Sequence, residues 1–379
     1  MIPYFVPTIG RSEKKAVSRA LSKKGIKGNG ELCREAEEKL KGMLGASSVF
    51  LTTSGTHALE LALMALRIKK GDEVICPSFT FVSTANAIIR QGARPVFAEI
   101  EKSTLNMDLD SLMGRITKRT RAIIPVHYGG FSCDIERLVA VSSKRGIHVV
   151  EDAAQAIGAR FNERHLGTFG DLGCISFHST KNITCGEGGA IVVNRKNLQN
   201  TIKIMREKGT NRFLYLQGKI KKYTWIDIGS SFVVPDMLAA LLSAQLDRLH
   251  AINKKRRAIF ELYEKGLRAL EKKGLIALPH PNKNSYGNGH IFWILLRKGL
   301  SRDNVIKKLR KRGIECTHHY VPLHSSPFGS KYLGYRPGDF PITEEVAKGL
   351  IRLPLHTYLS YSDIRHIIAN VAELLEGRG

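Results

Sequence analysis

Residues 176–190 read SFHSTKNITCGEGGA, which puts Lys181 directly after a short apolar strand and directly before a loop that carries three glycines and an acid. Lysine is ordinarily a surface residue, so one at a strand end needs a reason. Working outward, short runs rich in Val, Ile and Phe alternate with longer segments of helical period, the pattern of parallel strands joined by helices. The strands expected are SVFLT (48–52), EVICP (73–77), RPVFAEI (94–100), RAIIPVH (121–127), HVVED (148–152), GCISF (173–177) and AIVVN (190–194). Helices are expected at THALELALMALRI, VSTANAIIRQ, DLDSLMGRI and DIERLVAVSSKR. This is an α/β fold whose large domain holds a mainly parallel sheet of seven strands. After about residue 235 the texture changes to one long helical segment or a helix pair, and then to a mixture of strands and helices. The expected division is residues 1–245 as a large domain and 246–379 as a smaller C-terminal α+β domain.

Open parallel sheets bind ligands beyond the carboxyl ends of their strands. Ser54-Gly55-Thr56, Phe79 to Ser83, His127 to Gly130, Asp152 to Gln155 and Ser176 to Lys181 all follow strand ends directly. Gly55 and Thr56 open a helix, where unpaired amides and the helix dipole favour a phosphate; alone, the stretch also reads as an ordinary Ser/Thr cap. VVEDAAQ ends an apolar strand in two acids, and a carboxylate there calls for a positive partner unless it caps the next helix. A lysine on the same rim, its charge disfavoured by its surroundings, is a nucleophile for a carbonyl. Together a phosphate cradle, a strand-end acid and a strand-end amine are the parts a pyridoxal 5'-phosphate site needs, the acid serving the pyridinium nitrogen.

The chain has 379 residues, enough for a substantial core, and a net charge of +25. Its basic residues are dispersed in short clusters such as Lys23-Lys24, Lys221-Lys222 and Lys307 to Arg312, without the signature of a nucleic-acid-binding module. Neither nucleic acid nor membrane insertion is expected: no apolar run approaches the roughly 20 residues that span a bilayer, and the start, MIPYFVPTIGRSEKK, lacks the features of a signal peptide. A cytoplasmic location is expected. Six scattered cysteines suggest neither a disulfide framework nor zinc. THHYVPLH holds His318, His319 and His324 without a metal-ligand pattern, so no metal is expected.

SGTHALELAL, GDEVICPSFTFVSTANAI, IIPVHYGG, VVEDAAQAIGA, SFHSTKNITCGEGGAIVVN and HYVPLH together resemble the DegT/DnrJ/StrS sugar-nucleotide aminotransferases, across nearly the whole chain. The resemblance implies the type I aminotransferase fold, pyridoxal phosphate as cofactor, and homodimers with shared active sites. It makes Lys181 the lysine that bonds the cofactor aldehyde and Asp152 the partner of the pyridine nitrogen. Gln155 would hydrogen-bond near the ring hydroxyl, while Ser176 and the backbone around Gly55, Thr56 and His57 would bind phosphate. Phe81 would cover a ring face, though it also reads as a core aromatic. Many relatives carry Asn-Tyr-Arg shortly after the glycine that Gly229 matches, and that Asn reaches the neighbouring subunit's cofactor phosphate; here Ser231 takes its place.

PSFTFVSTANA, SFHSTKN, REKGTNR and KYTWIDIGSS resemble in particular the subgroup that aminates C4 of dTDP-4-dehydro-6-deoxyglucose, with glutamate as donor, to give dTDP-4-amino-4,6-dideoxygalactose. A GDP- or UDP-linked ketosugar, or a 3-keto sugar, is the alternative substrate. Lys208, Arg212 and Lys222 are candidates for drawing in the anionic nucleotide sugar, with surface solubility as the competing explanation. His319 is a candidate sugar neighbour, with structural hydrogen bonding as its alternative. Relatives that are dehydratases replace the lysine with histidine, so Lys181 argues against that chemistry.

Overall fold

In the computed structural model, which describes residues 1–22 and 26–377, the chain builds around a seven-stranded sheet. The basic pair Lys23-Lys24 lies outside the described residues. The strands are β1 (Ser48–Thr52), β2 (Glu73–Pro77), β3 (Arg94–Ala98), β4 (Thr120–Ile123), β5 (His148–Asp152), β8 (Leu172–Ser176) and β9 (Gly189–Val193), with the short β6 (Arg160–Phe161) and β7 (Arg164–His165) outside this sheet. Their order across it is β1-β9-β8-β5-β4-β2-β3. β9 alone runs antiparallel, pairing that way with both β1 and β8. All seven expected strands lie in this one sheet; those at 48–52, 73–77 and 148–152 have the expected ends, and the ends of the others differ by up to four residues.

Side chains alternate between the two faces of a strand, so the sheet needs cover on both. Val49, Ile75, Ile123, Val149 and Ile175 point into a core closed by α2 (Glu31–Leu44), α5 (Leu109–Met113), α6 (Ile135–Lys144) and the first part of α9 (Asp236–Lys272). Phe50, Val74, Cys76, Val150 and Cys174 point into a second core under α3 (Gly55–Ala65), α4 (Val82–Arg90) and α7 (Gln199–Arg206). Burying two apolar faces makes this three-layer arrangement the dominant stabilising feature of the N-terminal part.

The long helical segment is one helix: α9 spans 37 residues and crosses residue 245 without a break. Its first turns bury Leu242 and Leu246 beneath the sheet, and its later turns carry Tyr263, Leu267 and Leu270 into a separate C-terminal core. That core also packs a three-stranded antiparallel sheet of β10 (Ile276–Ala277), β12 (Phe292–Leu296) and β13 (Leu350–Leu353), together with helices Arg302–Lys311 and Tyr361–Leu375. No described helix is long and apolar enough to cross a membrane.

Candidate active site

β5, β8 and the N-terminus of α3 end around one cavity of about 520 Å³, lined among others by Gly55, Thr56, Phe81, Asp152, Gln155, Ser176, Lys181 and His319. Ser54 caps α3, its hydroxyl accepting from the His57 amide at 3.0 Å, and this leaves the Gly55 and Thr56 amides at the cavity wall. The cap reading therefore holds, and it does not compete with the anion reading. Gly55 presses so closely on β8 that a Cβ there would stand 2.8 Å from the Ser176 Cβ. The result is a cleft between a helix N-terminus and a strand end, with the Ser176 hydroxyl beside it. His57 takes no part in lining it: its amide is held by Ser54, and its ring packs edge-on to Phe232 at 5.2 Å.

The two acids of VVED part company. Glu151, on the face of Val149, is fully buried and accepts from the amides of Gly167 (2.7 Å), Phe169 (2.6 Å) and Gly170 (2.7 Å), and its Oε2 meets His127 Nε2 at 2.8 Å. Asp152, on the opposite face and 6% exposed, borders the cavity. It accepts from the Thr84 hydroxyl at 2.8 Å and the Ala154 amide at 3.2 Å. Burial raises its pKa, while those donors, Lys181 and His127 pull the other way. Lys181 faces it across the cavity: desolvation pushes the lysine's pKa down to about 8, Asp152 opposes that shift, and Arg352 adds to it. The amine is thus a far better nucleophile near neutral pH than a surface lysine.

Lys181 lies in the connection between β8 and β9, and that long connection is fastened from several sides. The Thr184 hydroxyl donates to the Phe177 carbonyl at 2.9 Å, and the Thr184 amide donates to Gln245 Oε1 at 3.2 Å. Asn182 gives its amide hydrogens to Asn253 Oδ1 (2.9 Å) and the Asn288 carbonyl (3.0 Å), so its oxygen accepts from His290 Nδ1 at 2.8 Å. Gln155 is held at both ends, accepting from the Gly129 amide at 2.7 Å and donating to Tyr320 Oη at 3.0 Å. Phe81 is 57% exposed on the rim, so it is not a core aromatic.

Sequence reasoning overlooked Tyr4, Thr84, Arg256, Tyr320 and Arg352; all but Thr84 line the cavity. Only the helical period of VSTANAIIR, which turns Thr84 and Ile88 to the same buried side, offered any signal of them. Conversely Lys208, Arg212, Lys222 and Ser231 do not line the cavity of their own chain. Lys208, Lys222 and Ser231 are exposed, Arg212 pairs with Glu207 at 3.0 Å, and Ser231 forms a bridge with Glu207. His319 is stacked on Tyr320, with ring centroids 4.0 Å apart. Among the described residues no group of His, Cys, Asp and Glu is arranged to hold a metal ion.

This donor set suits one kind of guest: an anion cleft, a buried carboxylate and an activated amine around a single cavity fit pyridoxal phosphate, and the Gly55 approach makes the cleft. Comparison with known proteins agrees. The model of the DegT/DnrJ/EryC1/StrS aminotransferase family matches residues 7–372. Spore coat polysaccharide biosynthesis protein SpsC of Bacillus subtilis is 33% identical over 383 residues, covering 99% of this chain and 97% of SpsC. The crystal structure of the aminotransferase TlmJ from Streptoalloteichus hindustanus is similar with a TM-score of 0.90 at 30% identity, over 100% of both chains. The putative sugar aminotransferase Spr1654 of Streptococcus pneumoniae, in its PMP form, is similar with a TM-score of 0.92 at 28% identity, again over 100% of both chains.

Proposed function

The chain belongs to the DegT/DnrJ/EryC1/StrS aminotransferase family and is a pyridoxal-phosphate-dependent sugar aminotransferase, and we propose that it carries an amino group from glutamate to the C4 ketone of dTDP-4-dehydro-6-deoxyglucose, giving dTDP-4-amino-4,6-dideoxygalactose. The observation that carries the catalytic part of this reading is the meeting of Lys181, Asp152 and the Gly55/Ser176 cleft around one cavity. The choice of sugar is supported by REKGTNR and KYTWIDIGSS, and the similarity to the spore coat polysaccharide biosynthesis protein SpsC supports a product destined for a cell-surface polysaccharide.

When bound, pyridoxal phosphate supplies an electron sink that lets an amino acid's α-carbon release its proton. In this reading the amides of Gly55 and Thr56 and the hydroxyl of Ser176 would hold the phosphate. Asp152 would hold the pyridinium nitrogen, Gln155 would serve the ring hydroxyl, Phe81 would cover a ring face, and Lys181 would hold the cofactor covalently. His57 serves only by being part of the helix whose N-terminus it helps to form. The free Lys181 amine would take the proton from the donor's α-carbon as general base and return one as general acid. The carboxylate of Asp152, kept in place by Thr84 and Ala154, would stabilise a positive charge at the ring nitrogen and so favour its protonated form.

The same reading makes the enzyme a homodimer with shared sites. Tyr223, Trp225 (77% exposed), Ile226 and Ile228 form an exposed apolar run directly before Ser231. A second copy would cover that run and receive Ser231, and with it Lys208 and Lys222, at its own cofactor and nucleotide sites. Exposed apolar surface of this kind is favourable to bury.

Purified protein reconstituted with pyridoxal phosphate, reduced with borohydride and digested should carry the pyridoxyl label on Lys181. The reconstituted enzyme should then turn over glutamate with a dTDP-linked 4-keto sugar in preference to GDP-linked, UDP-linked and 3-keto sugars. A label on another lysine would refute the site, and preference for another nucleotide sugar would refute the substrate.

A further inference from the structure

Lys181 lies in a stretch without helix or strand, so no ladder of main-chain hydrogen bonds fixes it. Next to it stands a cluster of four buried polar side chains drawn from three parts of the chain. They are Asn182, which follows the lysine, Asn253 from α9, and Asn288 and His290 from the segment that leads into β12. Buried amides are costly unless they are paired, and these pair with one another and with the loop after β5. While its oxygen accepts from Asn182, Asn253 donates to the Ile157 carbonyl at 3.0 Å. Asn288 donates to the carbonyls of Gln155 at 2.9 Å and Ile157 at 3.1 Å, and its Oδ1 accepts from the His290 amide at 3.1 Å. Room for the cluster comes from Gly158, at φ +76°, where a Cβ would stand 2.6 Å from Asn253 Nδ2.

The direction of each bond is forced. Asn182 gives both amide hydrogens to oxygens, Asn253 Oδ1 and the Asn288 carbonyl, so its own oxygen can only accept, and the group that donates to it is His290 Nδ1–H. His290 Nε2 therefore keeps its lone pair, and the ring is neutral. Burial is the main cause, and the positive charges of Lys181, Arg256 and Arg352, with His319, add to it and push the imidazole's pKa far down. The Nδ1–H donor is thus present throughout the range around neutral pH, and the bond to Asn182 does not come and go with protonation.

We propose that Asn182 and His290 are the positioning residues of Lys181: their hydrogen bond, anchored through Asn253 and Asn288, fixes the lysine's main chain and keeps its amine inside the cavity. This rests on the aminotransfer reading above and adds what holds its lysine. Asn288 and His290 lead into β12 of the C-terminal core, and Asn253 belongs to the helix that enters both cores. The lysine is therefore tied to both, and a shift of either carries the amine relative to Asp152. The charges that face the amine are Asp152 from β5 and Arg352 from β13. Neither is bonded to Asn182 or to His290, so substitutions at those two positions leave both charges in place.

The test reads the amine directly. The full chain without cofactor reacts with trinitrobenzenesulfonate over a series of pH values, and the rate of labelling mapped to Lys181 gives the midpoint of its free amine, near 8 in wild type. In His290→Phe, which keeps a ring but offers Asn182 no donor, the loop loosens and water reaches the amine. The midpoint should rise by about one pH unit, making the reaction about tenfold slower at neutral pH. His290→Asn places an N–H where Nδ1 stands and should stay close to wild type. His290→Gln places its amide where Nε2 stands, leaves Asn182 unpaired, and should match His290→Phe. Lost packing alone would lower Tm and leave the midpoint where it is. An unmoved midpoint in both His290→Phe and His290→Gln therefore overturns the assignment, as does a rise in His290→Asn equal to that in His290→Gln. Loaded with cofactor, the two deficient variants should lose about tenfold in kcat at neutral pH, with KM for the nucleotide sugar within about twofold of wild type; a change confined to KM overturns the assignment too. If the variants at 290 fail to fold, Asn253→Ala removes one acceptor of Asn182 and should raise the midpoint by a smaller amount, and an unmoved midpoint there overturns it. A wild type in which neither the reagent nor pyridoxal phosphate marks Lys181 would instead refute the aminotransfer reading.

Discussion

Gly55→Ala tests the phosphate cleft by its geometry. The added Cβ would stand 2.8 Å from Ser176 Cβ, 3.3 Å from its Cα and 3.4 Å from its Oγ. Carbon atoms in contact prefer about 3.5–4.0 Å, so the α3 N-terminus and the end of β8 must separate by about 0.7–1.2 Å. Overpacking of this kind costs about 1–3 kcal/mol, and replacing a helical glycine by alanine returns about 0.5–1 kcal/mol. The net loss of stability is therefore about 0–2.5 kcal/mol, a fall in Tm of at most several degrees. Cofactor binding should suffer more, because the displacement carries the Gly55 and Thr56 amides away from the phosphate. Losing one hydrogen bond to a charged group weakens binding by about 1.5–3 kcal/mol, so the Kd for pyridoxal phosphate, measured by fluorescence titration of the apoenzyme, should rise about tenfold or more. On a Ser176→Gly background the penalty from Gly55→Ala should shrink, since the nearest atom is gone. An unchanged Kd alongside a lowered Tm would mean that the phosphate sits elsewhere. An equal penalty on both backgrounds would mean that Ser176 is not what the alanine meets.

Lys181→Ala should leave the melting profile nearly intact and abolish turnover; wild-type turnover in this variant would refute the mechanism. With its pKa depressed to about 8, Lys181 gains its free amine as pH rises through that value, so the rate of pyridoxal phosphate capture by the apoenzyme should rise with a midpoint near 8, and a midpoint near that of a surface lysine would contradict the burial argument. The sign for stability follows: folding favours the neutral amine, so the lysine's contribution to apoenzyme stability falls as pH drops from the unfolded value toward 8. Thr84→Val removes a donor to the Asp152 carboxylate and should raise the pKa of Asp152 further, moving the acid limb of the pH–rate profile upward; a limb that shifts downward or stays fixed would contradict this. Glu151→Gln sets an amide NH2 among three backbone N–H donors and should destabilise the protein by about 3–5 kcal/mol in denaturant unfolding, whereas a loss below about 1 kcal/mol would contradict this.

Strand positions, the sheet's seven members and the residues that follow each strand were legible in the sequence, because local apolar runs and periodicity determine them. Lys181, Asp152, Gly55, Thr56, Gln155 and Ser176 were among those residues, and they surround one cavity. Tyr4, Tyr320 and Arg352 were not legible as neighbours of Lys181, since they come from the N-terminal segment, the loop after residue 316 and the edge of β13. No local pattern records so distant a meeting. Glu151 and Asp152 are equally acidic and adjacent; alternation puts them on opposite faces, but only the packing of His127 and the loop at 167–170 decides which of them is enclosed. Lys208 and Lys222, read as attracting the nucleotide sugar, and Ser231, read as reaching the neighbouring subunit's cofactor phosphate, are set by the fold on the surface of their own chain. Composition and period act over a few residues, whereas a site is made where chain segments far apart in sequence are driven together by burial of the two faces of the sheet, and this the sequence states only through the completed structure.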